Sequence, residues 1–247
     1  MTAESRYRID GRTVDEHECR QLFSGPLPDR MIRALDLLEG DRILDVGCYG
    51  GSFAHAVKDR RPGADVVAVD YDLENLRVAR TLHPELAHAF KHMSVYELEL
   101  PDASFDCVTL QEVIEHLEGA GAALKEINRV LRVGGSLIVT TPSPYYWRDV
   151  RAFLRTELRN LVRPRDRLAL SAANFDPTTE WNRHVLCWTP PTLLTLLEVN
   201  GFEYQHHEYS YDATGRGERW FLGALPFLGS VIVMKVRKVT DAPARLI

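Results

Sequence analysis

Long apolar runs are missing from this chain of 247 residues. None reaches the roughly 18 residues that a membrane-spanning helix needs, which excludes a helical span. The opening stretch, MTAESRYRID, lacks the apolar core of a secretory signal. Cysteine is scarce. The four residues Cys19, Cys48, Cys107 and Cys187 show no C-x-x-C spacing, which excludes the common zinc and dithiol motifs and reads as buried, reduced thiols. Together these absences predict a cytoplasmic protein. An excess of positive charge is also missing: the net charge of −5 argues against wholesale nucleic-acid binding and leaves room only for a local basic patch. There are no repeats and no low-complexity tract. What remains is 45% hydrophobic content, ordinary for a globular chain of this length.

The most informative stretch is RILDVGCYGGSF, residues 42–53. An apolar run of strand length, Ile43-Leu44-Asp45-Val46, breaks into Gly47-Cys48-Tyr49-Gly50-Gly51 and then turns helical through Phe53, Ala54 and Val57. A strand, a glycine-rich turn and a helix N-terminus let backbone N–H groups face a ligand at close range. A second buried run, Val66-Val67-Ala68-Val69, ends on Asp70 about 20 residues later, a spacing suited to a ribose diol. The alternative for Asp70 is to cap the helix that follows.

The rest of the core alternates. Strands are predicted at 42–46, 66–70, 90–93, 105–111 and 136–141, with helices at 52–60, 73–82 and 119–132. Such alternation implies βαβ units and a parallel sheet whose ligands lie at the carboxyl ends of the strands. Before it, residues 1–40 read as helical, with a short helix near Leu22 and another over 31–38, and they either pack against the sheet or form an N-terminal helical cover. After it, 143–189 is an insertion in which Arg148, Arg151, Arg155 and Arg159 form a basic helical stripe. That stripe suits an anionic membrane surface or an acidic substrate, or else a solvated face paired with Asp149, Glu157 and Asp166. A helix at 190–200 and strands at 202–209 and 230–237 complete the chain. The irregular apolar stretch 220–228 offers packing on the insertion, a homodimer contact or a membrane contact.

The blocks LDVGCYGG, VVAVDYD, SFDCVTLQEVIEHL and INRVLRVGGSLIVTTP, within residues 36–142, resemble the class I S-adenosylmethionine (SAM) dependent methyltransferases. The resemblance implies an α/β, Rossmann-like fold: a seven-stranded, mostly parallel sheet with helices on both faces, with the helical insertion after strand five. It implies one domain over 1–247, with SAM bound by 41–142 and the acceptor side shaped by 143–189. For the cofactor it points to Asp45, Gly47, Gly50 and Gly51 in the first block and to Asp70 for the ribose. Tyr71, Ser94 and Val95 border the adenine, and Gln111 lines the methionine side. The chain departs from the family at Tyr49, which takes the middle glycine position, and at Ser94, where many members carry an acidic residue.

Methyl transfer from a sulfonium is an in-line displacement, so positioning dominates, and a hydroxyl acceptor also needs its proton removed by a base or by a metal that lowers its pKa. Just beyond strand four the sequence reads Gln111-Glu112-Val113-Ile114-Glu115-His116. A helical turn over 112–118 would put Glu112, Glu115 and His116 on one face. Two carboxylates and an imidazole there need a cation or a hydrogen-bonded substrate. E-V-I-E-H with the later His184-x-x-x-Trp188-Thr189 resembles the metal-dependent small-RNA 2′-O-methyltransferases, and E-x-x-E-H alone the ubiquinone-pathway O-methyltransferases. This resemblance implies Glu112, Glu115, His116 and His184 as ligands of Mg²⁺ or Mn²⁺. Without a metal, His116 is the first general base and His184 the second. The expected activity is O-methylation of a small acceptor, a sugar, polyketide or quinone-like compound. The alternatives are an RNA 2′-O-methyltransferase and a non-catalytic SAM-binding protein.

Overall fold

The computed structural model describes residues 6–9, 11–147, 150–151, 154–155, 186–211 and 225–242. The chain opens with a hairpin, β1 (Arg6–Ile9) and β2 (Arg12–Asp15), followed by α1 (Glu16–Leu22) and α2 (Asp29–Asp36). Strand and helix then alternate through β3 (Arg42–Val46), α3 (Ser52–Arg60), β4 (Asp65–Asp70), α4 (Leu73–Leu82), β5 (Phe90–His92), β6 (Phe105–Gln111), α5 (Ala120–Val130) and β7 (Leu131–Pro142). Beyond the insertion come α6 (Pro190–Val199), β8 (Phe202–Ser210) and β9 (Val231–Lys238).

Seven of these strands form one sheet in the order β5-β4-β3-β6-β7-β9-β8. All neighbours pair in parallel except β9, which is antiparallel to both β7 and β8. The strands are apolar on both sides because both sides are covered. Ile43, Ala68, Cys107 and Ile138 pack with α2, α3 and α4, while Leu44, Val108, Leu110, Leu137 and Val139 pack with α5 and α6. The expected α/β sheet with helices on both faces is therefore present. The order runs outward from β3 and β6 in opposite directions, which opens a crevice at their carboxyl ends.

Several predicted boundaries, at β3, α3, α4 and β6, coincide with the observed ones. Two differences have physical causes. The predicted strand at 136–141 is longer, starting at Leu131, because Leu131 already pairs with Phe105 before a register shift. Gly134, at φ 80°, accommodates that irregularity within the strand. Ahead of α1 the sequence pattern predicts no strands, yet Arg6–Ile9 pairs with Arg12–Asp15 around Gly11, whose φ is 74°. This hairpin docks on α4: Tyr7 lies under the Arg77 guanidinium at 4.5 Å and its hydroxyl is 3.1 Å from Thr81 Oγ1.

Cys19, Cys48 and Cys107 are buried as expected, but Cys187 is exposed, where the chain returns from the insertion towards α6. Arg148 and Arg159 of the basic stripe, and 220–224 of the second apolar stretch, lie outside the described residues; Arg151 stacks on Trp147 at 5.1 Å. Among the described residues no helix is long and apolar enough to cross a membrane.

Candidate active site

The turn after β3 is anchored to its neighbour. Gly47 and Cys48 donate their N–H groups to the Val69 carbonyl at 2.8 and 3.0 Å. Three left-handed residues shape it: Gly47 at φ 76°, Tyr49 at 47° and Gly51 at 77°. The glycines here also admit protein neighbours. A Cβ on Gly47 would meet Val113 at 2.3 Å, one on Gly50 would meet Phe23 at 2.3 Å, and one on Gly51 would meet Phe90 at 2.6 Å. Phe23 reaches Gly50 from the end of α1 and lies against the Tyr49 ring, centroid to centroid 5.5 Å. The N-terminal segment thus covers part of the turn, and Tyr49, the departure from the glycine pattern, is the residue it covers.

Asp70, at the end of β4, accepts from the Tyr49 N–H at 2.9 Å, the Asp72 N–H at 2.9 Å and Asn75 Nδ2 at 3.2 Å. The cap of α4 is a different residue: Asp72 accepts from the Glu74 N–H. Burial raises the Asp70 pKa, while these hydrogen bonds pull it back. Tyr71, the next residue, is 69% exposed. Ser94, beyond β5, accepts from the Tyr96 N–H at 3.2 Å, and Val95 packs half-buried on the core.

Between the glycine turn and β6 lie two incompletely satisfied buried groups. Asp45 is 2% exposed; its Oδ1 accepts from Thr109 Oγ1 at 2.8 Å and its Oδ2 completes no hydrogen bond among the described residues. Burial pushes its carboxyl up to about 7, opposed by Thr109 and reinforced by the charge of Asp70. Gln111, buried at the end of β6, faces the Asp45 carboxyl and helps to hold its pKa down, and among the described residues neither of its side-chain polar atoms completes a full hydrogen bond. Unsatisfied buried polar groups are costly, so such a pair in one crevice marks a place built for a polar ligand.

The segment after Gln111 is not the helical turn expected. Glu112 is left-handed, at φ 53°, and only Ile114–His116 forms a 3₁₀ turn. Glu112 and Glu115 are instead placed by two threonines of β7. Thr140 Oγ1 donates to Glu112 at 3.0 Å, and Thr141 Oγ1 donates to Glu115 Oε2 at 3.1 Å. Glu115 is 1% exposed and its Oε1 has no hydrogen-bond partner among the described residues; His116 Nε2 lies 3.9 Å from that oxygen. Burial and the neighbouring Glu112 raise the Glu115 pKa, and the charge of Arg30 on α2 opposes them. Among the described residues, Glu112, Glu115 and His116 do not bring three ligand atoms within 4.8 Å of one another. His184 lies outside the described residues. The chain returns to this point two residues later, where the Leu186 N–H donates to the Glu115 carbonyl oxygen at 3.0 Å. The threonines escaped the sequence reading; the signal was the pair Thr140-Thr141 at the carboxyl end of a parallel neighbour.

Residues 44–139 match a family described as a methyltransferase domain. The chain is 37% identical over 129 residues to a ubiquinone biosynthesis O-methyltransferase of Alkalilimnicola ehrlichii, covering 50% of this chain and 51% of the relative. It is 30% identical over 175 residues to the same-named protein of Bradyrhizobium diazoefficiens, covering 70% of this chain and 62% of the relative. These likenesses support a class I SAM-dependent methyltransferase, with the match centred on residues 44–139. The chain spans about half the length of the first of these relatives. A SAM-dependent methyltransferase of Thermotoga maritima shares the fold with a TM-score of 0.58 at 19% identity, over 85% of this chain and 88% of that one.

For a class I methyltransferase the crevice has fitting chemistry. A cationic ammonium and a carboxylate, the ends of the methionine part of SAM, suit the Asp45 carboxyl and the Gln111 amide, which face each other with hydrogen bonds incomplete among the described residues. A hard cation suits the unpartnered Glu115 oxygen.

Proposed function

We propose that this methyltransferase acts on a hydroxyl of a small, quinone-like acceptor, with SAM as donor. The observation that carries the reading is the Glu115 carboxyl, buried beside His116 and one hydrogen bond short, just beyond the strand that ends in Gln111. The names of the two relatives favour a quinone-pathway acceptor over a sugar or an RNA. SAM, when bound, supplies a methyl group already activated on a sulfonium.

The protein's part is to bind, orient and deprotonate. Asp70 takes the ribose diol, Gly47, Gly50 and Gly51 let the turn approach the methionine and ribose parts, and Tyr71, Ser94 and Val95 border the adenine. Without a metal, His116 receives the acceptor's proton, with His184 as the second base. Glu112, Glu115, His116 and His184 are the donor set for a divalent ion such as Mg²⁺ or Mn²⁺, which would lower the pKa of the acceptor hydroxyl.

The test pairs turnover with binding. Methyl transfer from SAM to a substituted catechol is expected, and its loss in His116→Ala with SAH (the demethylated product of SAM) still bound assigns the base. Turnover on RNA but on no catechol overturns the reading. Calorimetric titration of Mn²⁺ into the SAH-saturated protein, wild type and Glu112→Ala, decides the metal. One equivalent bound by the wild type and lost in the variant supports it, and no binding by the wild type removes it and leaves His116 acting alone.

A further inference from the structure

A second cluster of ligand-type side chains lies away from the crevice, on the outer side of α3. His55 is on the first turn of α3, His83 ends α4, and Glu85 lies in the 3₁₀ turn Pro84–Leu86 that follows. One ligand atom from each of the three lies within 4.8 Å of one from each of the others. His55 Nε2 is 3.7 Å from Glu85 Oε1, and His83 Nδ1 is 3.9 Å from the same oxygen. We propose that His55, His83 and Glu85 form a binding site for a borderline transition-metal ion of the Zn²⁺ type, which pins α3 to the end of α4.

Four observations support it. First, the spacing is close to what a tetrahedral ion imposes: ligands about 2.0–2.1 Å from zinc lie about 3.3 Å from one another, so closure needs side-chain shifts on the order of an ångström. Second, the remaining nitrogen of His55 is provided for. Its Nδ1 lies 3.4 Å from Asp59 Oδ2, one turn along α3, which is the carboxylate–histidine arrangement that fixes the tautomer and aims Nε2 at a metal. Third, the two imidazoles stack with centroids 4.4 Å apart, and the buried Nε2 of His83 has no hydrogen-bond partner among the described residues. Two protonated rings at that distance repel. Fourth, two imidazoles and one carboxylate favour Zn²⁺, Ni²⁺ or Cu²⁺ over Mg²⁺ or Mn²⁺, which distinguishes this cluster from the oxygen-rich group around Glu112. Three protein ligands leave the fourth position to water.

The experiment is calorimetric titration of Zn²⁺ into the untagged full chain, with Co²⁺ as a spectroscopic probe of geometry. The wild type is expected to bind one Zn²⁺ at this site and to give the visible bands of tetrahedral Co²⁺. His55→Ala changes a half-buried surface side chain and Glu85→Gln an exposed one, so both should fold, and each is expected to weaken that binding at least tenfold. Asp59→Asn is expected to weaken it about tenfold by loosening the His55 ring. Glu112→Ala is expected to leave it unchanged. The proposal is overturned if the wild type binds no Zn²⁺, or if the affinity and the Co²⁺ spectrum are the same in His55→Ala and Glu85→Gln as in the wild type.

Discussion

The backbone N–H of Tyr49 donates to Oδ2 of Asp70 at 2.9 Å, which ties the turn after β3 to the end of β4. Asp70 holds the turn and, with about four lone-pair positions and three donors on it, keeps one for a ligand. Asp70→Asn keeps the shape but turns an amide donor towards one of these N–H groups. The expected result is a loss of SAH affinity of about 10- to 100-fold, the worth of a charge-assisted hydrogen bond. Calorimetric titration with SAH measures it. An unchanged affinity would make Asp70 a fastener of the turn and nothing more.

Tyr49 adopts a backbone that glycine takes without cost, and its ring packs on Phe23. Two substitutions separate these effects. Tyr49→Ala loses the ring and keeps the left-handed strain; Tyr49→Gly loses the ring and the strain together. The glycine variant is expected to be more stable than the alanine variant by about 1 kcal/mol, read from denaturant midpoints. Equal stabilities would show that the turn relaxes once the ring is gone.

Asn128, 1% exposed on α5, donates Nδ2 to the carbonyls of Asn200 at 2.9 Å and Thr240 at 3.0 Å, and accepts from the Ala242 N–H at 3.1 Å. One side chain therefore joins α5, the end of α6 and the segment after β9. Asn128→Leu leaves three backbone groups short of a partner. Its expected cost is about 3 kcal/mol in urea unfolding, since each such group costs roughly 1–3 kcal/mol and some regain water. A cost below about 1 kcal/mol would mean that the C-terminal segment simply detaches.

The core was legible because its signals are local. Val66 to Asp70 is buried on both faces of the sheet, so its run of apolar residues needs no partner to be recognised, and Asn200-Gly201 stops α6 wherever the helix packs. The N-terminal hairpin was missed although Asp10-Gly11 between Ile9 and Arg12 is a strong turn signal. Its strands are half polar, and their apolar side chains Tyr7 and Ile9 find cover on Val78 of α4, a contact between distant parts of the chain. The Glu112 segment failed for a related reason. Spacing alone favoured a helix, but Thr140 and Thr141 on the neighbouring strand hold both glutamates, and the left-handed Glu112 breaks the helix before it starts. Cross-strand partners of this kind become visible only once the register of β6 against β7 is known.

Asp45 supplies a pH test of the cofactor side. Its folded pKa, about 7, lies above the ordinary carboxylate value, about 3.9, because burial outweighs the Thr109 hydrogen bond. The folded protein therefore holds a proton that the unfolded chain releases between these two values. The stability contributed by the neutral carboxyl is full below about pH 4 and is lost as pH rises through about 7. Asp45→Asn keeps an acceptor for Thr109 Oγ1 and cannot ionise, so its stability relative to the wild type is expected to rise between about pH 4 and pH 7. Binding should respond in the opposite sense. If the free Asp45 oxygen meets the ammonium of SAH, the charged form binds better, and SAH affinity of the wild type should increase as pH rises through about 7, whereas the Asp45→Asn variant should show no such rise. Thermal unfolding and SAH titration at matched pH values measure both trends. A stability difference that is constant with pH would show that Asp45 is ionised throughout. A pH-dependent stability difference with a flat SAH affinity would place the ammonium elsewhere in the crevice and leave Asp45 as a partner of Thr109 alone.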